Sequence, residues 1–159
     1  MSRFLSEEQR MLQETARKFA LQVIEPRAIE IDSLEKTPED LIAQTADLGF
    51  YGIMIPEEYG GTNMGLTAAC LVLEEVAKAS PSFAGLLNVQ MLLCPDAVLQ
   101  TGNDQQKARL LPGSATGRKL IAWSMTEPSG AGNIAAHQTR LTQDGNGYRL
   151  NGLKIYSSQ

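Results

Sequence analysis

Thr139-Arg-Leu-Thr-Gln-Asp-Gly-Asn-Gly-Tyr-Arg-Leu-Asn-Gly-Leu-Lys-Ile-Tyr156 is the stretch that decides the fold class. Two short runs, Thr139 to Thr142 and Tyr148 to Leu150, flank Asp144-Gly145-Asn146-Gly147. Asn and Gly between two such runs are a strong hairpin signal. Asn151-Gly152 is a second tight turn, and Lys154-Ile155-Tyr156 starts another strand. Upstream, Leu120-Ile121-Ala122-Trp123-Ser124-Met125 is short, apolar and flanked by turn residues, which predicts a further strand. Between them, Pro128-Ser129-Gly130-Ala131-Gly132 is loop chemistry, where small residues let the backbone turn or approach a ligand closely.

The chain before this stretch has a different texture. Ser6 followed by Gln9 fits a capping box, and Leu12, Ala16, Phe19 and Val23 then mark one face at helical spacing. Pro26 ends or bends that run. Thr37-Pro38 predicts a second start, with Thr37 as cap and proline at the first helical position, and Gly49 is its stop. Leu66 to Ala79 places Ala69, Cys70, Leu73, Val76 and Ala77 on one side. Phe83 to Thr101 is more apolar, with Pro95 as a kink, Gly102 as its end, and Leu86, Leu87, Met91, Leu92 and Leu93 as helix core. Asn103 and Gln106 form another capping box, opening a short helix that Pro112-Gly113 closes. The expectation is an α+β chain: an N-terminal α-helical bundle domain over 1–116, then the first antiparallel strands of a β-barrel-like domain over 117–159. The last strand has barely begun at Gln159, and an unpartnered strand leaves an open ladder edge, so the chain reads as cut short.

Composition narrows the function classes. The 159 residues carry 14 Lys+Arg against 18 Asp+Glu, and the basic residues are scattered. That argues against nucleic acid or an anionic membrane as partner. Cys70 and Cys94 each sit among apolar neighbours and read as reduced core thiols, and a lone His137 far along the chain makes no metal site with them. The N-terminus lacks a secretory apolar core, and no apolar run reads as long enough to span a bilayer. A soluble, reducing compartment, the cytoplasm, is the expectation.

Four segments in order resemble the acyl-CoA dehydrogenase family. Leu48-Gly-Phe-Tyr-Gly-Ile-Met-Ile-Pro-Glu-Glu-Tyr-Gly-Gly61 resembles its connection between early helices. Ala122-Trp-Ser-Met-Thr-Glu-Pro128 resembles its first flavin-contacting strand, and Gly147 to Tyr156 the hairpin leading into the next. The Gly-rich loop lies between the last two, and the distance from Thr126 to Asn151 fits without a gap. Glu57-Glu58-Tyr59-Gly60-Gly61 alone is a weak signal whose plain role is a glycine turn. The combination in this order is strong.

The resemblance implies FAD as cofactor, an acyl-CoA substrate in fatty acid metabolism, an electron-transfer-flavoprotein-like acceptor, and a homo-oligomeric whole enzyme. It implies that the backbone at Trp123 and Met125, and the backbone and hydroxyl of Thr126, line the pyrimidine end of the flavin. Negative charge builds there on reduction, and fixed donors stabilise it. Tyr156 matches a position where the family usually has a tryptophan packed on the ring, and Ser158 a threonine whose hydroxyl approaches the central ring nitrogen. Gly132 stands where the family often has a serine touching the flavin or the substrate's phosphate region, and Asn133 where it often has aspartate. No acid of this chain, Glu57, Glu58 and Glu127 included, matches the family's catalytic base. Other flavoenzymes of the same fold (acyl-CoA oxidase, nitroalkane oxidase, flavin monooxygenase) share these strands, and a non-catalytic helical interaction module is a further alternative. Without the motif order, Trp123 and Tyr156 would read as core aromatics, Thr126 as a local cap, and His137 as structural.

Overall fold

A computed structural model describes residues 4–33 and 37–157. The chain divides into two compact units, Met1–Ile121 and Ala122–Gln159. The first is helical. Helix α1 spans Glu7–Phe19, opened by the Ser6/Gln9 capping box, in which the Ser6 hydroxyl accepts the Gln9 N–H at 3.1 Å. A π-turn, Ala20–Ile24, and a 3₁₀ turn, Glu25–Arg27, lead into α2, Ala28–Ser33, so Pro26 bends the path instead of ending it. Helix α3 is Glu39–Asp47 and ends at Gly49. Its cap is Pro38, one residue later than expected, and Thr37 makes no capping bond.

Helix α4, Gly65–Ala79, buries Ala68, Ala69, Val72, Glu75 and Val76. This face is rotated from the one expected. Cys70 and Ala77 are exposed, because the chain satisfies Glu75 inward and turns them out. Cys94 is buried, as expected, and burial pushes its thiol up. Pro81–Thr101 is one continuous 21-residue helical stretch made of α5, Pro81–Asn88, a π-turn, Val89–Leu93, and α6, Cys94–Thr101. By length and composition it is apolar enough to cross a bilayer, contrary to expectation. Phe83, Leu86, Leu87 and Met91 lie in the core, whereas Leu93 is 40% exposed. Helix α7, Asp104–Ala115, starts at the Asn103/Gln106 capping box and runs through Pro112, which was expected to close it. Burial of Leu111 and Ala115 against Ile55 holds its last turn and outweighs the lost backbone bond.

Two constraints tie these helices together. Phe19 and Phe50 meet edge to face at 6.0 Å within the main core. Glu75, 3% exposed, accepts hydrogen bonds from Gln13, Arg17 and Lys78, which joins α1 to α4. The Arg17 guanidinium, then Lys78, holds its carboxyl below the usual range.

The Glu57–Tyr59 turn followed by Gly60 and Gly61 is structural, as its plain reading expects. A Cβ on Gly61 would lie 1.9 Å from the Ile55 carbonyl oxygen and 2.6 Å from that of Gly52.

The second unit contains an antiparallel pair, β1, Arg140–Asp144, and β2, Gly147–Asn151, with Leu141 opposite Leu150 and Gln143 opposite Tyr148. Of the two turn residues only Gly145 has positive φ, +60°, as a II′ hairpin turn requires at its first position. The expected strands over 120–125 and from Lys154 are not formed as ladders among the described residues. Among the described residues one backbone bond, Ile155 N–H to the Thr126 carbonyl at 2.9 Å, joins them. Tyr156 then takes φ +56°, a left-handed backbone that interrupts the extended run.

Gly61→Ala should lower the stability of the first unit by at least ~1–3 kcal/mol, since a backbone carbonyl cannot yield to the added methyl. Thermal denaturation of the helical signal checks this, and an unchanged midpoint would contradict the close approach. In limited proteolysis, early cuts should fall between Thr116 and Tyr156 and leave a resistant helical core, because the strands are exposed along their whole length.

Candidate functional site

Among the described residues of the second unit, a single side chain is buried, and it is charged. Glu127 is 3% exposed. A carboxylate in that position is costly unless its lone pairs are filled. One oxygen accepts the Gln138 N–H at 2.5 Å. The other accepts the Thr139 N–H at 3.0 Å and the Lys154 ammonium at 2.9 Å. Hydrogen bonding from Thr139, then from the Gln138 N–H and Lys154, holds the carboxyl well below the usual carboxylate range. Lys154 also donates to the Met125 carbonyl at 2.8 Å. Ser124 and Ser157 hydroxyls meet at 2.6 Å. With the Ile155–Thr126 bond, these contacts bring residues 124–126 beside 154–157.

Of the expected flavin-facing residues, Met125, Thr126 and Tyr156 lie in these contacting segments, and Trp123 directly precedes them. Trp123 and Thr126 are half-buried, Met125 is 37% exposed, and Tyr156 is 84% exposed, so neither aromatic is a core side chain. The Thr126 hydroxyl has no hydrogen-bond partner among the described residues, which removes its reading as a local cap. Ser158 lies outside the described residues. Gly132 is exposed, on the loop rather than the paired segment, and a Cβ there would meet nothing within 4 Å. Space therefore does not demand glycine at 132. His137 is half-buried with Nε2 3.2 Å from the Gly130 carbonyl, a structural contact. A cleft of about 590 Å³ opens beside Glu127, bordered by Pro128, Ser129, Asn151 and Leu153, and takes in none of the expected flavin-facing residues.

Sequence reasoning gave Glu127 and Lys154 no role of their own. Two signals were present: an acid two residues after an apolar run, and a lysine alone between Leu153 and Ile155. Charges in such settings call for partners.

Residues 6–118 match the family described as acyl-CoA dehydrogenase, N-terminal domain. The chain belongs to the acyl-CoA dehydrogenase family. It is 34% identical to benzylmalonyl-CoA dehydrogenase of Aromatoleum aromaticum, over 96% of this chain and 40% of that protein. It is 33% identical to 3-(aryl)acrylate reductase of Clostridium sporogenes, over 96% of this chain and 41% of that one. The chain thus spans about two fifths of the length of these relatives. Its fold matches the acyl-CoA dehydrogenase complexed with FAD from Bacillus anthracis, with a TM-score of 0.89, 28% identity, and coverage of 99% of this chain and 27% of that one.

Lys154 and Ile155 occupy the Met125 and Thr126 carbonyls, while among the described residues the Thr126 hydroxyl has no partner. A free hydroxyl donor of this kind is chemically compatible with a flavin's ring acceptors.

The Glu127 knot has a pH signature. Its folded pKa is depressed, so the stability it contributes is full above the ordinary carboxyl value of 4.5 and is lost as pH falls below that toward the folded value. The Gln138 and Thr139 amides should lose exchange protection on acidification below about pH 4.5, and Glu127→Gln should remove that dependence. Acid-independent protection in the unsubstituted chain would contradict the assignment.

Proposed function

We propose that this chain is the front portion of an FAD-dependent enzyme that removes two hydrogens from the α,β positions of an acyl-CoA thioester. Residues 1–116 are then its N-terminal helical domain, and 117–159 begin the flavin-binding β-domain. The observation that carries the reading is the Trp123–Thr126 segment, held at the Met125 and Thr126 carbonyls and carrying a Thr126 hydroxyl with no partner among the described residues. FAD, when bound, supplies two-electron acceptance. The backbone of Trp123 and Met125 and the backbone and hydroxyl of Thr126 would hold its pyrimidine end, with the exposed Tyr156 ring contributing from the facing segment and Ser158, outside the described residues, proposed as a further contact. Fixed donors of this kind stabilise charge without reorganising. Gly132, in the loop, offers the substrate's phosphate region backbone but no hydroxyl. The exposed Leu93 and its neighbours would help wall an acyl pocket. The protein would work as a homo-oligomer in the cytoplasm and pass electrons to an electron-transfer-flavoprotein-like acceptor. The relatives, a dehydrogenase and a reductase by name, support the class of chemistry without fixing its direction.

The whole protein should purify yellow and reduce its flavin with an acyl-CoA, whereas residues 1–159 alone should purify colourless and inactive. A stoichiometric flavin on residues 1–159 would show that the binding determinants are misplaced. In the whole protein, Thr126→Ala should weaken flavin binding or slow its reduction, by up to ~3 kcal/mol of transition-state stabilisation. Unchanged flavin content and reduction rate would leave Thr126 a structural residue.

A further inference from the structure

Lys154 is half-buried, with 27% of its side chain exposed, and its ammonium is shared between one carboxylate oxygen and one backbone carbonyl. The carbonyl is that of Met125, 2.8 Å away. The same peptide unit carries the Thr126 N–H. Among the described residues no peptide bond is cis, so this N–H points away from the carbonyl, on the side opposite Lys154. Glu127 cannot release the lysine easily, because the Gln138 and Thr139 amides fix its carboxylate in turn.

We propose that Lys154 is a positioning residue that polarises the Met125–Thr126 peptide, so that the Thr126 N–H is a strengthened donor toward the flavin. The amide is conjugated, and a charged donor on its oxygen draws electron density from nitrogen, leaving the N–H more positive. Hydrogen bonds in such chains reinforce one another by roughly 10–30% each. Partial burial keeps solvent ions from screening the effect. Lys154 thus acts through the backbone, at one remove from the ligand, while Glu127 sets where its ammonium rests. The inference rests on the flavin-facing reading of Thr126, and the test separates the two.

The Thr126 amide resonance of the ¹⁵N-labelled 159-residue chain is measured in the unsubstituted protein and in Lys154→Met, Lys154→Gln and Lys154→Arg. The amide proton should move upfield in the Met and Gln forms and return in the Arg form, which restores a charged donor. Cross-strand contacts between Leu141 and Leu150 verify that the hairpin is intact. If Lys154→Met loses the hairpin, Lys154→Gln, a neutral donor, decides. A Thr126 resonance that stays in place with the hairpin intact overturns the proposal. So does loss of the hairpin in both neutral forms, or failure of arginine to restore the shift. In the whole protein with FAD bound, Lys154→Met should make the two-electron potential more negative, by ~30 mV for each tenfold change in the equilibrium. An unmoved potential overturns the coupling to the flavin. Separately, a labelled whole protein whose Thr126 resonance answers to Lys154 but not to FAD would remove the flavin-facing reading and leave the polarisation standing.

Discussion

The buried carboxylate of Glu127 is the constraint on which the second unit's shape depends. Apart from it, the described residues there bury no side chain fully, and the hairpin is exposed along its whole length. Few-stranded sheets are marginal in water without something packed on them. The unit gets its definition instead from polar contacts that converge on one group. Glu127 gathers the backbone at 138 and 139 and the ammonium of Lys154, and Lys154 gathers the backbone at 125. Three separated stretches of chain are thereby held at one point. In the segment bearing Trp123, Met125 and Thr126, the Met125 and Thr126 carbonyls are occupied by Lys154 and Ile155.

The helical unit is organised differently, by apolar packing with one ionic tie. Its two long helical paths share a device. Pro26 and Pro95 each follow a five-residue π-turn by two positions, at Ala20–Ile24 and Val89–Leu93. In each case the residue before proline donates five residues back, Glu25 to the Ala20 carbonyl and Cys94 to that of Val89. The wider turn admits the proline ring, which would clash with a carbonyl in a regular helix. The path bends and the buried face continues. Within the second of these turns Gln90, 1% exposed, gives and takes hydrogen bonds at 2.9 Å with the Ile121 backbone, and the Cys94 thiol donates to the same carbonyl.

Much of this architecture is legible in the sequence where the signal is local. Both capping boxes and the Gly49 stop need only neighbouring residues, and the Asp144–Gly147 turn needs only its own backbone. The family was likewise readable from short motifs in order, and residues 6–118 match its N-terminal domain. What depended on distant partners was not. Pro112 stays inside α7 because Ile55, far upstream, buries the turn after it. Cys70 faces out because Glu75 must meet Arg17 from another helix. The segments at 120–125 and 154–156 carry strand-like composition, yet a ladder needs an aligned neighbour on each residue, and among the described residues one backbone bond, Ile155 to Thr126, joins them. Glu127 and Lys154 escaped notice for the same reason, being 27 residues apart and meaningful only as a pair.

Residue-resolved amide exchange on the second unit, with and without Glu127→Ala, tests most directly whether one carboxylate holds the Met125–Thr126 segment. The account predicts that the Gln138, Thr139 and Ile155 amides are protected together and lose protection together in the variant. Protection of Ile155 that survives the loss of Glu127 would contradict it.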